Sequence, residues 1–262
     1  MGILTGRNAL ITGGGRGIGR SIALALAAEG AKVAVTARTR AEIDAVAAEA
    51  LEKGGPQALA VTADAMDAAE QRAAVREVIA AFGHIDILVN NAGGVDFSEG
   101  PAALSLFGHS DTAFRANLDL NLSSAFWTIA EAAPHMRDRR YGRIINLGSG
   151  YSHHGGGFLS YVTAKHAIVG LTRAAATELA SHGVTVNCLC PGWTNTSLVD
   201  FDLLAAANGT DAQSERRAME AECLQKRILE PDEIQPMAVL LASERSGAIT
   251  GQIIRVDGGY RV

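Results

Sequence analysis

Three observations predict an α/β protein built on a doubly wound, mostly parallel sheet of seven strands with helices on both faces. Short apolar runs rich in β-branched residues alternate with helix-period segments along the 262-residue chain. The first run passes directly into a glycine turn, "TGGGRGIG", and then into a helical pattern. No linker, repeat or low-complexity tract divides the chain, so one domain over residues 1–262 is expected.

The elements follow in order. "NALIT" (8–12) reads as a buried strand, and residues 17–29 as a helix closed by Gly30. "KVAVTA" (32–37) is the second strand, followed by a helix over 40–53 that ends at Gly54 and Gly55. "QALAVTA" (57–63) and a helix over 67–82 form the third unit. "IDILVNNAGG" (85–94) is a strand running into another glycine turn, and a long helical region covers 111–137. "GRIINLGS" (142–149), a helix over 161–181, "VTVNCLCPG" (184–192) and "QIIRVDGG" (252–259) complete the set. Right-handed crossovers bring the carboxyl ends of parallel strands to one sheet edge. The turns at Gly13, Asp64, Asn91, Ser149 and Pro191 each follow a strand, so they converge there. The stretch 195–225, rich in Ala, Glu and Arg, is read as a helical lid.

Composition narrows the function. Net charge is −5 and no basic block occurs, which argues against nucleic acid and anionic membrane as partners. No apolar run reaches the ~18 residues of a membrane span. Little chain precedes the first glycine turn, so no signal peptide and a cytoplasmic location are expected. The three cysteines, Cys188, Cys190 and Cys223, are an odd number and form no ligand cluster. No metal site is expected, and Cys188 and Cys190 read as small hydrophobes on one strand face.

The glycine turn suits a phosphate, but its spacing fits neither familiar pattern. G-x-G-x-x-G has no register in it. The triphosphate loop fits from Gly14 to Gly19 and Ser21, except that Arg20 stands where lysine belongs. In a doubly wound sheet this turn usually holds a pyrophosphate, drawn by free backbone N–H groups and the helix dipole. An acid at the end of the second strand would bind the ribose 2′-hydroxyl of NAD. Here that strand ends in "VTARTR", with Arg38 in the region and no acid before Glu42. Arg16 adds a second positive charge. NADP(H) is therefore favoured, with NAD(H) left open.

"YVTAK" sets Tyr161 and Lys165 on one face of a helix. A nearby ammonium favours the phenolate, so the pair is suited to exchanging a proton with an alcohol or carbonyl. A Tyr and a Lys at this spacing are common in ordinary helices, and alone they decide nothing.

T-G-x-x-x-G-x-G at Thr12 to Gly19, N-N-A-G at Asn90 to Gly93 and "LNLSSAF" with Asn121 occur in order. "INLGS" ending at Ser149, Y-x-x-x-K at Tyr161 and Lys165, and P-G-x-x-x-T at Pro191 to Thr196 follow. This full set of motifs resembles the short-chain dehydrogenase/reductase family, of the compact single-domain type. The resemblance implies a Rossmann fold and hydride transfer between a nicotinamide and a ketone or secondary alcohol. It assigns Tyr161 as acid/base, Lys165 as its activator and a ribose ligand, and Ser149 as the group that orients the substrate oxygen. Asn121 would hold a water linking Lys165 to solvent. The cofactor would lie against Gly13, Gly15, Arg16, Gly17, Ile18 and Gly19, with Arg38 at the 2′-phosphate. Asp64 and Ala65 would meet the adenine, and Asn91, Ala92 and Gly93 the adenosine ribose. Tyr161, Lys165, Pro191, Gly192, Thr194 and Thr196 would hold the nicotinamide end.

Two stretches depart from the family's usual look: 94–114 carries extra residues, and "KRILEP" (226–231) lacks a common glycine. His153, His154 and Trp193 are open candidates for the pocket wall. A 3-oxoacyl thioester is the default substrate. A sugar, polyol, steroid or cyclic alcohol used with NAD competes, as does a non-catalytic dinucleotide-binding protein. A homotetramer or homodimer is implied, through the helices of 111–137 and 159–181.

Overall fold

The computed structural model describes residues 2–96, 100 and 105–262, and for Ala207 the backbone alone. Seven parallel strands form one open sheet in the order β3-β2-β1-β4-β5-β6-β7. The strands are β1 (Asn8–Thr12), β2 (Lys32–Ala37), β3 (Ala58–Thr62), β4 (Ile87–Asn90), β5 (Gly142–Leu147), β6 (Val184–Pro191) and β7 (Ile253–Val256). The helices between them are α1 (Gly17–Ala28), α2 (Arg40–Glu52), α3 (Ala68–Phe82), α4 (Asp111–Leu118), α5 (Ser124–Arg139) and α6 (Leu159–Leu179). After β6 come α7 (Phe201–Asn208), α8 (Ala212–Ala221) and α9 (Gln235–Ala242).

Strand alternation divides the core between the two sheet faces. Ile11, Val33, Ile87, Val89, Ile145 and Leu189 pack with the apolar sides of α1, α2 and α9. Leu10, Ala34, Leu88, Ile144 and Val186 pack with α3, α5 and α6. Cys188 and Cys190 are buried on one face of β6 with their sulfurs 3.7 Å apart. Chain order reverses between β1 and β4, so their carboxyl ends open the crevice in which doubly wound folds bind ligands.

Four expectations need correction. β4 and β7 are shorter than read, because the residues after Asn90 and Val256 leave the ladder to form turns. β5 likewise ends at Leu147, releasing Gly148 and Ser149. The long helix over 111–137 is interrupted by a π-turn, Asp119–Ser123. The turn holds Asn121, whose amide donates to Gly94 O (2.8 Å) and Asn117 O (2.9 Å) and accepts from Gly94 N (3.0 Å). Finally, α9 went unread: "QPMAVLLA" is apolar on nearly every side, so it has no periodicity, and its proline sits in the first turn. Residues 97–99 and 101–104 of the extra stretch 94–114 lie outside the described residues.

Candidate active site

The turns after β1 and β4 are tied together. Thr12 Oγ1 accepts from the backbone N–H of Asn91 (3.1 Å) and Ala92 (3.0 Å). Asn91 Nδ2 returns bonds to Thr12 O (3.1 Å) and Gly13 O (3.0 Å). Gly19 is buried under this junction, where a Cβ would lie 2.3 Å from both Asn91 Nδ2 and Gly13 O. It lets the turns meet rather than lining the cleft. Gly13 (φ 61°) and Gly17 (φ 54°) adopt the left-handed conformation that the tight turn needs.

The cleft above these turns fits a dinucleotide. α1 begins at Gly17 with no side-chain cap and no acid in its first turn, leaving its N–H groups to an anion. Gly13, Gly15, Arg16, Gly17 and Ile18 line the cleft on one side, and Asn91, Ala92 and Gly93 on the other. Arg38, Asp64 and Ala65 lie toward the β2 and β3 end, and Tyr161, Lys165, Pro191 and Thr196 toward the β5 and β6 end. The Arg16 and Arg38 side chains are exposed and make no hydrogen bond or ion pair with a described residue. By contrast, Arg20 pairs with Glu49 and Arg40 with Asp44. Glu42 shares the cleft, its carboxylate beside Gly15.

A second cavity of about 620 Å³ adjoins the first. Tyr161, Pro191, Thr196 and Leu198 border both, so the two spaces meet beside Tyr161. Ser149, Gly192 and Thr194 line only the second. Thr194 is buried, with Oγ1 donating to Gly192 O (3.0 Å). Asn121 lines neither cavity. Both its amide hydrogens are used, so its side chain holds the Gly93-Gly94 turn in place. A Cβ on Gly93 would lie 2.8 Å from Asn121 Oδ1 and 3.3 Å from Lys165 Nζ.

Tyr161 and Lys165 stand one turn apart on α6, and both are buried. Lys165 Nζ donates to Leu147 O (2.9 Å) and lies 5.6 Å from the centre of the Tyr161 ring. Ser149 caps the short 3-10 turn Gly150–Ser152, its Oγ accepting from Tyr151 N (3.2 Å). Burial pushes the Tyr161 phenol up to about 12, partly offset by a hydrogen bond with Ser149. Burial brings the Lys165 ammonium down to about 8. Burial thus works against the expected depression of the phenol, and the Ser149 hydrogen bond opposes burial only in part.

Trp193 lines the second cavity, whereas His153 and His154 are not among its lining residues. Tyr151, Phe158, Tyr260, Met219 and Glu222 also line it and were not read from the sequence. Only Tyr151, two residues after Ser149, carried a local signal. Phe158 sits three residues before Tyr161 as an aromatic no motif singles out, and Met219, Glu222 and Tyr260 come from remote segments.

A dinucleotide cleft meeting a buried Tyr-Lys pair defines a nicotinamide-linked oxidoreductase that acts on CH–OH or carbonyl groups. Residues 7–203 match the short chain dehydrogenase family model, and the chain belongs to that family. It is 37% identical over 256 residues to a 3-oxoacyl-(acyl-carrier-protein) reductase, FabG, of Staphylococcus aureus, covering 97% of each chain. It is 38% identical over 265 residues to a D-beta-hydroxybutyrate dehydrogenase of Cupriavidus necator, covering 98% of this chain and 99% of that one. Among solved structures, a Beutenbergia cavernae protein assigned as an NAD(P)-dependent gluconate 5-dehydrogenase, with NADP bound at low occupancy, superposes with a TM-score of 0.87. That protein is 35% identical, with 98% of this chain and 97% of that chain covered. No helix among the described residues is long and apolar enough to cross a membrane.

Proposed function

We propose that this protein interconverts a ketone and a secondary alcohol with NADP(H), using Tyr161 as the proton donor and acceptor. One observation carries the reading: Tyr161, Lys165 and Ser149 converge where the dinucleotide cleft meets the second cavity. A bound nicotinamide supplies or takes up the hydride there. Gly13, Gly15, Gly17 and the α1 N-terminus would hold the pyrophosphate, with Ile18 and Gly19 shaping the turn. Arg16 and Arg38, with no side-chain partner among the described residues, would hold the 2′-phosphate. That is the support for NADP(H), together with the NADP in the Beutenbergia cavernae relative. Asp64 and Ala65 would meet the adenine, and Asn91, Ala92 and Gly93 the ribose. Pro191, Gly192, Thr194 and Thr196 would seat the nicotinamide end.

The chain's own chemistry is proton placement. The high pKa keeps the phenol protonated at neutral pH, so Tyr161 can donate to a carbonyl oxygen. The Ser149 hydroxyl would donate a second hydrogen bond to that oxygen and orient it. Lys165, still mostly charged at pH 7, stabilises the phenolate left behind. Helices α7 and α8, within 195–225, would act as a lid over the second cavity. A homotetramer or homodimer is expected in solution, which sedimentation will measure.

For the substrate, a 3-oxoacyl thioester is the default, in keeping with the likeness to FabG. The test is nicotinamide absorbance with NADPH and NADH over a carbonyl panel. Turnover preferring NADPH is expected. Tight cofactor binding with no turnover would favour the non-catalytic reading.

A further inference from the structure

The second cavity bears on what kind of carbonyl compound enters. Its charged lining among the described residues is wholly acidic: Asp200, Glu215 and Glu222. No lysine or arginine lines it, and the sequence between Gly93 and Arg115 contains none. Arg261, which pairs with the lining Glu222, is not itself a lining residue and is also bonded to Gly155 O (3.1 Å). Glu222 is held as well by the indole N–H of Trp193 at 2.8 Å. A carboxylate entering this cavity would lose its water and meet no counter-charge.

Apart from these acids and the hydroxyl and amide groups of Ser105, Ser149, Thr194, Thr196 and Asn208, the wall is mostly aromatic and aliphatic. Tyr151 stands edge-to-face with the catalytic Tyr161, Trp193 and Tyr260, at ring separations of 6.1 Å in each case. The aromatic wall therefore begins at the phenol and continues outward. Leu198 (48% exposed) and Leu203 (47%) also line this cavity as half-exposed apolar residues. Burying such surface stabilises a ligand with an apolar body.

We infer that the substrate is an uncharged ketone or secondary alcohol whose reacting carbon carries a bulky apolar body, and that free oxo- and hydroxy-carboxylates are rejected. The inference rests on the reductase reading above and narrows it. A 3-oxoacyl thioester meets the charge condition. A free hydroxybutyrate or gluconate does not, despite the likeness to proteins named for those acids.

The test is kcat/KM with NADPH for three compounds: ethyl benzoylacetate, the benzoylacetate anion and ethyl acetoacetate. The first pair differs in charge, and the two esters differ in body. The benzoyl ester is expected to exceed its acid by about 100-fold and the smaller ester by about tenfold. Leu203→Arg, which brings a cation to the half-exposed rim, should raise the rate with the acid and narrow the first ratio about tenfold. An acid used as well as its ester, or a ratio unmoved by Leu203→Arg, overturns the inference. If no compound is turned over with either cofactor, the reductase reading falls instead. Charge selectivity is then read by quenching of Trp193 fluorescence in a Trp127→Phe protein titrated with the same pair. Quenching by the ester alone upholds the inference, and equal quenching by the acid refutes it.

Discussion

A tyrosine and a lysine four residues apart are legible in any sequence, but their proton affinities are not. Both depend on burial by segments far away in the chain, and here burial raises one and lowers the other. The pH dependence follows with a definite sign. The Lys165 ammonium is lost as pH rises through about 8, while the phenol, at about 12, keeps its proton. The kcat/KM for ketone reduction should be level at neutral pH and fall above about pH 8. A rate profile free of any break between pH 7 and 9 would contradict this. Replacing the phenol by Tyr161→Phe should cost about 100-fold or more in kcat, with NADPH affinity retained in a binding titration. For the cofactor, Arg38→Asp should move the NADPH/NADH ratio of kcat/KM toward NADH by about tenfold. An unchanged ratio would mean that Arg38 is only a solvated charge.

At the scale of elements, some helices carry a side-chain cap that the sequence makes visible, while α1, α2 and α6 have none. Asp67 caps α3 through bonds from Ala69 N (2.8 Å) and Glu70 N (3.0 Å). Asp67→Ala should cost about 1 kcal/mol in urea unfolding and leave kcat unchanged. The end of β5 behaves differently. A Cβ on Gly148 would lie 2.5 Å from Cys190 Sγ and 2.8 Å from Cys188 Sγ, so the strand must shift to accept it. Gly148→Ala should lower kcat by displacing Ser149, with a far-ultraviolet spectrum like the parent's. The π-turn at Asn121 shows why some local structure was not legible. Residues 111–137 read as one continuous helix, and the interruption accompanies side-chain bonds to Gly94, 27 positions back. A window of helical length does not contain that partner.

At the scale of the molecule, the sheet is held at its far edge by a buried carboxylate. Asp86 is fully buried, with Asn8 N at 3.0 Å, His84 Nε2 at 3.1 Å, Arg139 at 3.6 Å and Arg7 at 3.7 Å. It joins β1, β4 and α5 opposite the catalytic edge. Asp86→Ala should lower unfolding stability by about 2 kcal/mol, limited because its cationic partners reach solvent. Equilibrium urea unfolding measures this, and a loss within error would show that the cluster is dispensable. The chain order of the strands, the edge where their turns meet, the glycine spacing and the Tyr-Lys pair were legible in the sequence alone. They depend on period and short spacing, which a chain carries locally. The tertiary structure decided the proton affinities, the π-turn and the character of the second cavity. Tyr151 and Tyr260 face each other across more than 100 residues, and Glu222 meets Trp193 from α8's end. Such contacts arise only when the fold closes, because burial and charge in a cavity are sums over segments that no local pattern relates.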